Sequence, residues 1–193
     1  MSDARDTITL AHGGGGRATR SLIEGTVLRH FGKPDPKGLQ DHAELSPPSG
    51  HRIAFTTDSF VVQPLFFPGG DIGKLAINGT VNDLAVSGAI PQVLSCGLIL
   101  EEGLELSVLE QIIASMATAA TEAQVQIVTG DIKVVEKGAA DQLFINTAGI
   151  GFLPENRSIA SWMAEVGDAV LVSHFLGDHG LSLIHISEPT RRI

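Results

Sequence analysis

The sequence predicts an α/β (α+β) fold, a mixed sheet covered by helices on one face, and three observations carry it. Apolar segments with strand character, IAFTTDSFVV, QVLSCGLIL, VQIVTGD and LFINTAGIGFL, are separated by stretches whose apolar residues recur at helical spacing. Their order, helix, strand, helix, strand, helix, strand, strand, suits a sheet with both parallel and antiparallel neighbours. The 193 residues, 43% hydrophobic and only 18% charged, suffice for one ample domain or for one domain and part of a second.

Along the chain, Leu22, Ile23, Val27, Leu28 and Phe31 fall on one side of a helix running from Arg17, directly after the run HGGGGR. From about Lys33 to Gly50 the text is rich in Pro, Asp and Gly without a period, which reads as a long connection. A strand follows in IAFTTDSFVV. After PLFFPGGD, Asp71 is placed to cap a helix whose packing face is read as Ile72, Leu75, Ala76, Gly79 and Val86, with Asn82 and Asp83 in its last turns. QVLSCGLIL reads as a buried strand. Ser107 and Glu110 have the spacing of a capping box opening a helix to about Ala123, with Ile112, Ile113, Met116 and Ala120 inward. VQIVTGD is the next strand, KGAAD lies in a loop, and LFINTAGIGFL is a further strand whose glycines mark a bulge or close approach. With helices on one face only, the opposite face of such a sheet needs a partner. The expected organisation is one domain over 1–154, then over 155–180 a linker and, in VGDAVLVS, the opening strand of a truncated second domain. The last segment, 181–193 (LSLIHISEPTRRI), breaks the pattern and resembles translated adapter sequence, so His185 and Arg191 support no site.

Composition excludes several classes of function. A net charge of −9 argues against broad binding to nucleic acid or to anionic membranes, which needs basic surface. No apolar run approaches the roughly 18 residues of a membrane span. The start, MSDARDTITL, carries acids and lacks the apolar core of a secretory signal, and a single cysteine, Cys96, fits a reducing cytosol, so a cytoplasmic location is expected. Cys96 lies in an apolar strand and reads as a buried structural thiol.

The chemistry concentrates in three acids. Asp58, Asp83 and Asp131 are read at positions where apolar segments end or turn, inside TTDSF, GTVNDLA and TGDIKVV. A hard divalent cation such as Mg²⁺ is held by a few carboxylates together with waters and phosphate oxygens. Gly13, Gly14, Gly15 and Gly16 supply the complement, because backbone without Cβ lets N–H groups come close to a phosphate. The combination suggests a magnesium nucleotide site built from separate elements. Taken singly, an Asp after a strand is more often a turn residue. Spacing alone leaves Lys74 and Lys133 open between a site role and an ordinary surface lysine. PGGDIGKL is not a Walker loop, since Gly69 leaves three residues before the Gly-Lys pair and Leu75 follows it. HGGGGR is not a dinucleotide fingerprint, and the seven histidines show no zinc spacing.

The words AHGGGGR, TDSFVVQPLFFPGGDIGKLAINGTVNDLAVSGA, ILEEG and TGDIKVVEKG resemble the HypE family of hydrogenase maturation proteins. That family lies within an ATP-dependent superfamily that includes aminoimidazole ribonucleotide synthetase, selenophosphate synthetase and thiamine-monophosphate kinase. The resemblance runs from about Ile8 to Gly180 and is most specific in PGGDIGKLAINGTVNDLA. Ile132 departs from it, standing where the family word reads TGDTKVV. The resemblance implies a PurM-like amino-terminal domain whose sheet pairs with that of a second subunit in a homodimer. It implies ATP and Mg²⁺ as cofactors, and ATP-driven dehydration of a thiocarboxamide on a carboxy-terminal cysteine to a thiocyanate, the source of cyanide for NiFe hydrogenase. A HypF carbamoyltransferase would load that cysteine, and a HypC–HypD complex would receive the cyanide. On this resemblance Asp58, Asp83 and Asp131 handle metal and phosphate, Gly13 to Gly16 form the phosphate loop, Asn82 and Lys74 support the nucleotide, and Lys133 meets the reacting amide. Selenophosphate synthetase is expected to carry Cys or selenocysteine with Lys where this chain has His12 and Arg17. A thiamine-phosphate kinase is disfavoured by PLFFPGGD. A nucleotide-binding dimerisation module without turnover is the alternative of another class.

Overall fold

The computed structural model describes residues 7–32 and 45–172. Most of the connection read at 33–50 and all of 173–193, including the tail, lie outside the described residues. A 3-10 turn at Leu10–Gly13 leads into α1 (Arg17–Leu22), which runs through a π turn (Ile23–Val27) into α2 (Leu28–Phe31). The helix read over this stretch is present, and the wider turn at Gly25 leaves Leu22 and Thr26 as its buried residues.

The remaining elements are β1 (His51–Phe60), β2 (Phe66–Phe67), β3 (Gly70–Asp71), α3 (Ile72–Val86), β4 (Ile90–Glu101), α4 (Leu106–Glu122), β5 (Gln126–Val135) and β6 (Leu143–Pro154). One four-stranded sheet has the order β1-β6-β4-β5, and β2 and β3 form a small hairpin of their own. β4 and β5 are parallel, joined through α4, whereas β6 runs antiparallel to both β1 and β4. The mixed sheet with helices on one face is therefore the observed architecture.

Between sheet and helices lies one core, including Leu94, Leu98, Leu100, Leu143 and Ile145 from the sheet and Ile72, Ile77, Leu109, Ile112, Ile113 and Met116 from the helices. The inward face read for α4 is observed. Its start differs: α4 begins at Leu106 with Glu105 at the cap position, and Glu110 reaches Arg29 at 3.3 Å rather than closing a capping box with Ser107. The Asp71 cap is observed, its carboxylate accepting from Gly73 N at 2.7 Å and Lys74 N at 3.1 Å, and Ser115 on α4 donates to its second oxygen. On α3 the buried face is Ile72, Gly73, Ala76, Ile77, Thr80 and Leu84. Val86, read as inward, is 73% exposed because it lies two residues after buried Leu84, on the side of the helix turned away from that face. Thr80 and Thr147 share a buried hydroxyl hydrogen bond, and Thr147 also donates to the Ala76 carbonyl at 3.3 Å, which fixes α3 over β6.

The other face of the sheet is open. Ile53, Phe55 and Ile90 are 54%, 67% and 53% exposed, beside Ile150 and Phe152 in register on β6. After Pro154, residues 164–172 form no strand, and Val166, Val170 and Leu171 are exposed. The β pattern of VGDAVLVS finds no neighbouring strand there to complete a ladder.

Candidate functional site

The glycine run leads from the 3-10 turn into α1. Gly13 lies against β5, where a Cβ would stand 2.7 Å from Val134 N. Gly15 N donates to Thr19 Oγ1 at 2.9 Å, and Gly16 occupies the cap position of α1. Gly14, Gly15 and Gly16 are exposed. His12 is turned inward locally, its Nδ1 accepting from Thr9 N at 3.0 Å.

Asp131 and Lys133 are exposed and sit within β5, not at its end. TGD does not turn the chain: the strand continues because Gly130 lets its backbone pass against the Cys96 carbonyl across a register shift between Leu94 and Ser95. Alternation puts Ile132 and Val134 toward the core and Asp131 and Lys133 on the open face. There Asp131 lies in register with Gly97, then Asn146, then Ser59, one row across the whole sheet.

Asp58 and Asp83 lie elsewhere. Asp58 is inside β1 on the helix side, where its Oδ1 accepts from Ser59 N at 2.8 Å and its Oδ2 would stand 3.7 Å from a Cβ on Gly79. One helical turn on, Asp83 Oδ2 accepts from Thr56 Oγ1 at 3.1 Å. The two carboxylates thus line one seam between β1 and α3. Asn82 is exposed beside Asp83, and Lys74 is exposed on the first turn of α3.

One subunit therefore does not gather the three aspartates. Two lie at the β1 edge on the helix side; the third lies on β5, the opposite edge, facing the other way. Among the described residues no three His, Cys, Asp or Glu side chains converge as a metal site. The site residues form two half-sets: Asp58, Asp83 and Asn82 at one edge, and Asp131, Lys133 and the glycine loop at the other.

Sequence reasoning missed Thr56, which orients Asp83, and Asn146, whose Nδ2 donates to the Asp58 carbonyl at 3.0 Å and to Ser59 Oγ at 2.9 Å. The period-2 placement of Thr56 and Asp58 in TTDSF was the available signal for the first. A cleft of about 480 Å³ near the glycine loop is walled by Glu101, Glu102, Glu105 and Lys137, a charge balance that opposes a triphosphate. Glu101 there binds the backbone N–H groups of Gly138 and Gln142, which hold its carboxyl below the usual range.

Cys96 faces the core, and burial pushes its thiol up to about 12. Alkylation of the folded protein at neutral pH is expected to be far slower than in denaturant, where the thiol is solvated. Equal rates by mass spectrometry would show that this thiol is accessible.

The family model for AIR synthase related protein, N-terminal domain, matches residues 39–153. The carbamoyl dehydratase HypE of Escherichia coli (strain K12) is 51% identical over 187 residues, 95% of this chain and 56% of that protein. The chain belongs to the HypE family. A crystal structure of the hydrogenase maturation protein HypE in complex with ATP matches with a TM-score of 0.78 at 49% identity, covering 92% of this chain and 52% of that one. A HypE–HypF complex matches with a TM-score of 0.55 at 51% identity, covering 72% of this chain and 44% of that one. This HypE-family chain spans about half the length of the curated relatives it matches. No described helix is long and apolar enough to cross a membrane.

Proposed function

We propose that this chain is the nucleotide-binding half of an ATP-dependent carbamoyl dehydratase that works as a homodimer in NiFe hydrogenase maturation. The observation that carries the reading is the split of the site residues onto opposite edges of a sheet whose outer face is apolar and uncovered. In a second copy laid against that face with its β5 edge beside the first copy's β1 edge, the partner half-set would stand at the edge that carries Asp58 and Asp83, and Phe55 and Ile53 would be buried. An exposed apolar face of this kind is ordinarily an interaction surface.

Asp58 beside Gly79 and Asp83 one turn further on the same seam fit a cation that takes one or two carboxylates and fills its shell with water and phosphate oxygens. Bound there, Mg²⁺ would neutralise charge on the transferring phosphoryl group. The exposed glycines suit the phosphates. Asp131 of the partner half-set would complete the phosphate and metal contacts, and Asn82 and Lys74 would support the nucleotide. Lys133 would sit at the amide.

In the reaction proposed for the intact protein, the carbonyl oxygen of the cysteine thiocarboxamide takes the γ-phosphoryl group, releasing ADP. Both N–H protons then leave, the C–O bond breaks with loss of phosphate, and carbon and nitrogen close to the thiocyanate. Lys133 assists by its charge or as a proton acceptor. HypF is proposed as the source of the carbamoyl group and a HypC–HypD complex as the acceptor of the cyanide. The chain contains one cysteine, Cys96, which is buried, so the domain alone is expected to bind nucleotide without forming thiocyanate.

The test is Phe55→Asp in this chain. Sedimentation should show the unsubstituted chain as a dimer and the variant as a monomer, with magnesium-dependent ATP binding lost in the variant. A monomeric unsubstituted chain that binds ATP with magnesium at micromolar concentration would overturn the reading.

A further inference from the structure

The segment leaving β6 is not loose at its start. Glu155 N donates to the Gly50 carbonyl at 3.1 Å, and Arg157 N turns back to Pro154 O at 3.0 Å. The Arg157 guanidinium then reaches the end of α3, its Nη1 donating to the Gly88 carbonyl at 3.1 Å. Arg52 on β1 donates in turn to the Arg157 carbonyl at 2.8 Å. Gly88 ends the helix at φ +81°, its N–H bonded to Ala85 O at 2.9 Å, and Ile159 lies over it where a Cβ would stand 2.8 Å from the isoleucine Cδ1.

The guanidinium binds the carbonyl of the glycine just past the C-cap, Ser87, and its charge there opposes the negative end of the helix dipole. Only glycine reaches that φ without strain and leaves room for Ile159. Asn82 and Asp83 lie on the same helix, within two turns of Gly88, and Arg52 and Thr56 belong to the same strand.

We propose that Arg157 is a positioning residue, a clasp that fixes the segment leaving the domain to the end of the helix bearing Asp83. Residues 155–159 are thereby held against the end of the β1–α3 seam, and strain on that segment reaches the carboxylate through α3. The clasp itself follows from the contacts above; its consequence for ATP rests on the site reading.

Trp162, the only tryptophan, is 86% exposed in this segment and reports on it directly. The experiment compares the chain with Arg157→Ala and Arg157→Lys by hydrogen exchange and by Trp162 anisotropy, with and without Mg²⁺ and ATP. In Arg157→Ala, amides of 84–88 and 155–163 should exchange about two- to fivefold faster, the range expected for losing a cation at a helix end, with β4 and β6 unchanged. Trp162 anisotropy should fall, and Lys should restore part of both. In the unsubstituted chain Mg²⁺ and ATP should slow exchange at 84–88. Equal exchange at 84–88 in chain and Ala variant, or loosening shared equally by β4 and β6, would overturn the clasp. Loss of protection in the variant with no response of the unsubstituted chain to Mg²⁺ and ATP would keep the clasp and overturn the metal role of Asp83.

Discussion

Asp83→Asn in the intact two-domain protein is expected to lower magnesium-dependent ATP hydrolysis by about a hundredfold or more, since a cation on a transferring phosphoryl group contributes several kcal/mol and each 1.36 kcal/mol is tenfold. The fold should persist. Asp83 is exposed, and the Thr56 hydroxyl can donate to the amide oxygen of Asn as it does to the carboxylate. Hydrolysis and thermal melting measured together check both halves, and unchanged hydrolysis would remove Asp83 from the metal site. Mixing gives a sharper result. If Asp83 of one copy works with Asp131 of the other, inactive Asp83→Asn and Asp131→Asn proteins should regain activity when combined, because each heterodimer holds one unaltered site. Random exchange of subunits should return about a quarter of the unsubstituted rate. No recovery after exchange is demonstrated would place both aspartates in one subunit's site.

Gly130→Ala is expected to be the most damaging conservative change in the sheet. Its Cβ would stand 2.1 Å from the Cys96 carbonyl oxygen and 3.1 Å from the carbonyl carbon. Both are backbone atoms of a central strand and cannot step aside. β5 must therefore move, at a loss of about 3 kcal/mol or more, the upper end of what overpacking costs, out of a total of roughly 5–15 kcal/mol for a domain. Gly97→Ala is the control: on the neighbouring strand its Cβ would meet only Asn146 atoms, at 3.8 and 4.0 Å, so stability should change by less than about 1 kcal/mol. Urea unfolding of the two variants separates a specific clash from a general intolerance of alanine in these strands. Because Asp131 follows Gly130, nucleotide binding should fall with stability in the first variant alone.

Much of the fold is written in local patterns. Ile112, Ile113, Met116 and Ala120 recur at helical spacing and are buried, and Asp71 caps α3 because a short carboxylate before a helix finds two free N–H groups. Local pattern failed where a distant partner decided. Glu110 has capping-box spacing to Ser107 but is drawn to Arg29, far away in sequence. Val86 follows Gly79 by seven residues, but the packed face is set by Ile72, Ala76, Thr80 and Leu84 and turns Val86 outward. The site was legible as a set of residues and not as a place. Alternation assigns Asp58 and Asp131 each to a face of its own strand, but only the pairing of β6 with β1 and with β4 decides that the two strands stand at opposite edges.

That pairing also orders the assembly of the domain in time. β4, α4 and β5 are consecutive and can close as a local unit, whereas β1 has β6 as its neighbour, Asp58 lying opposite Thr147. Loops of this length close slowly and bring reward only when both ends are present. On a ribosome, β1 emerges long before its ladder partner, and its backbone edge waits unpaired until Leu143–Pro154 has followed. The ladder that ties the Asp58 strand into the sheet is therefore expected to be the last to form, and it is made by the same strand from which the chain departs toward Arg157.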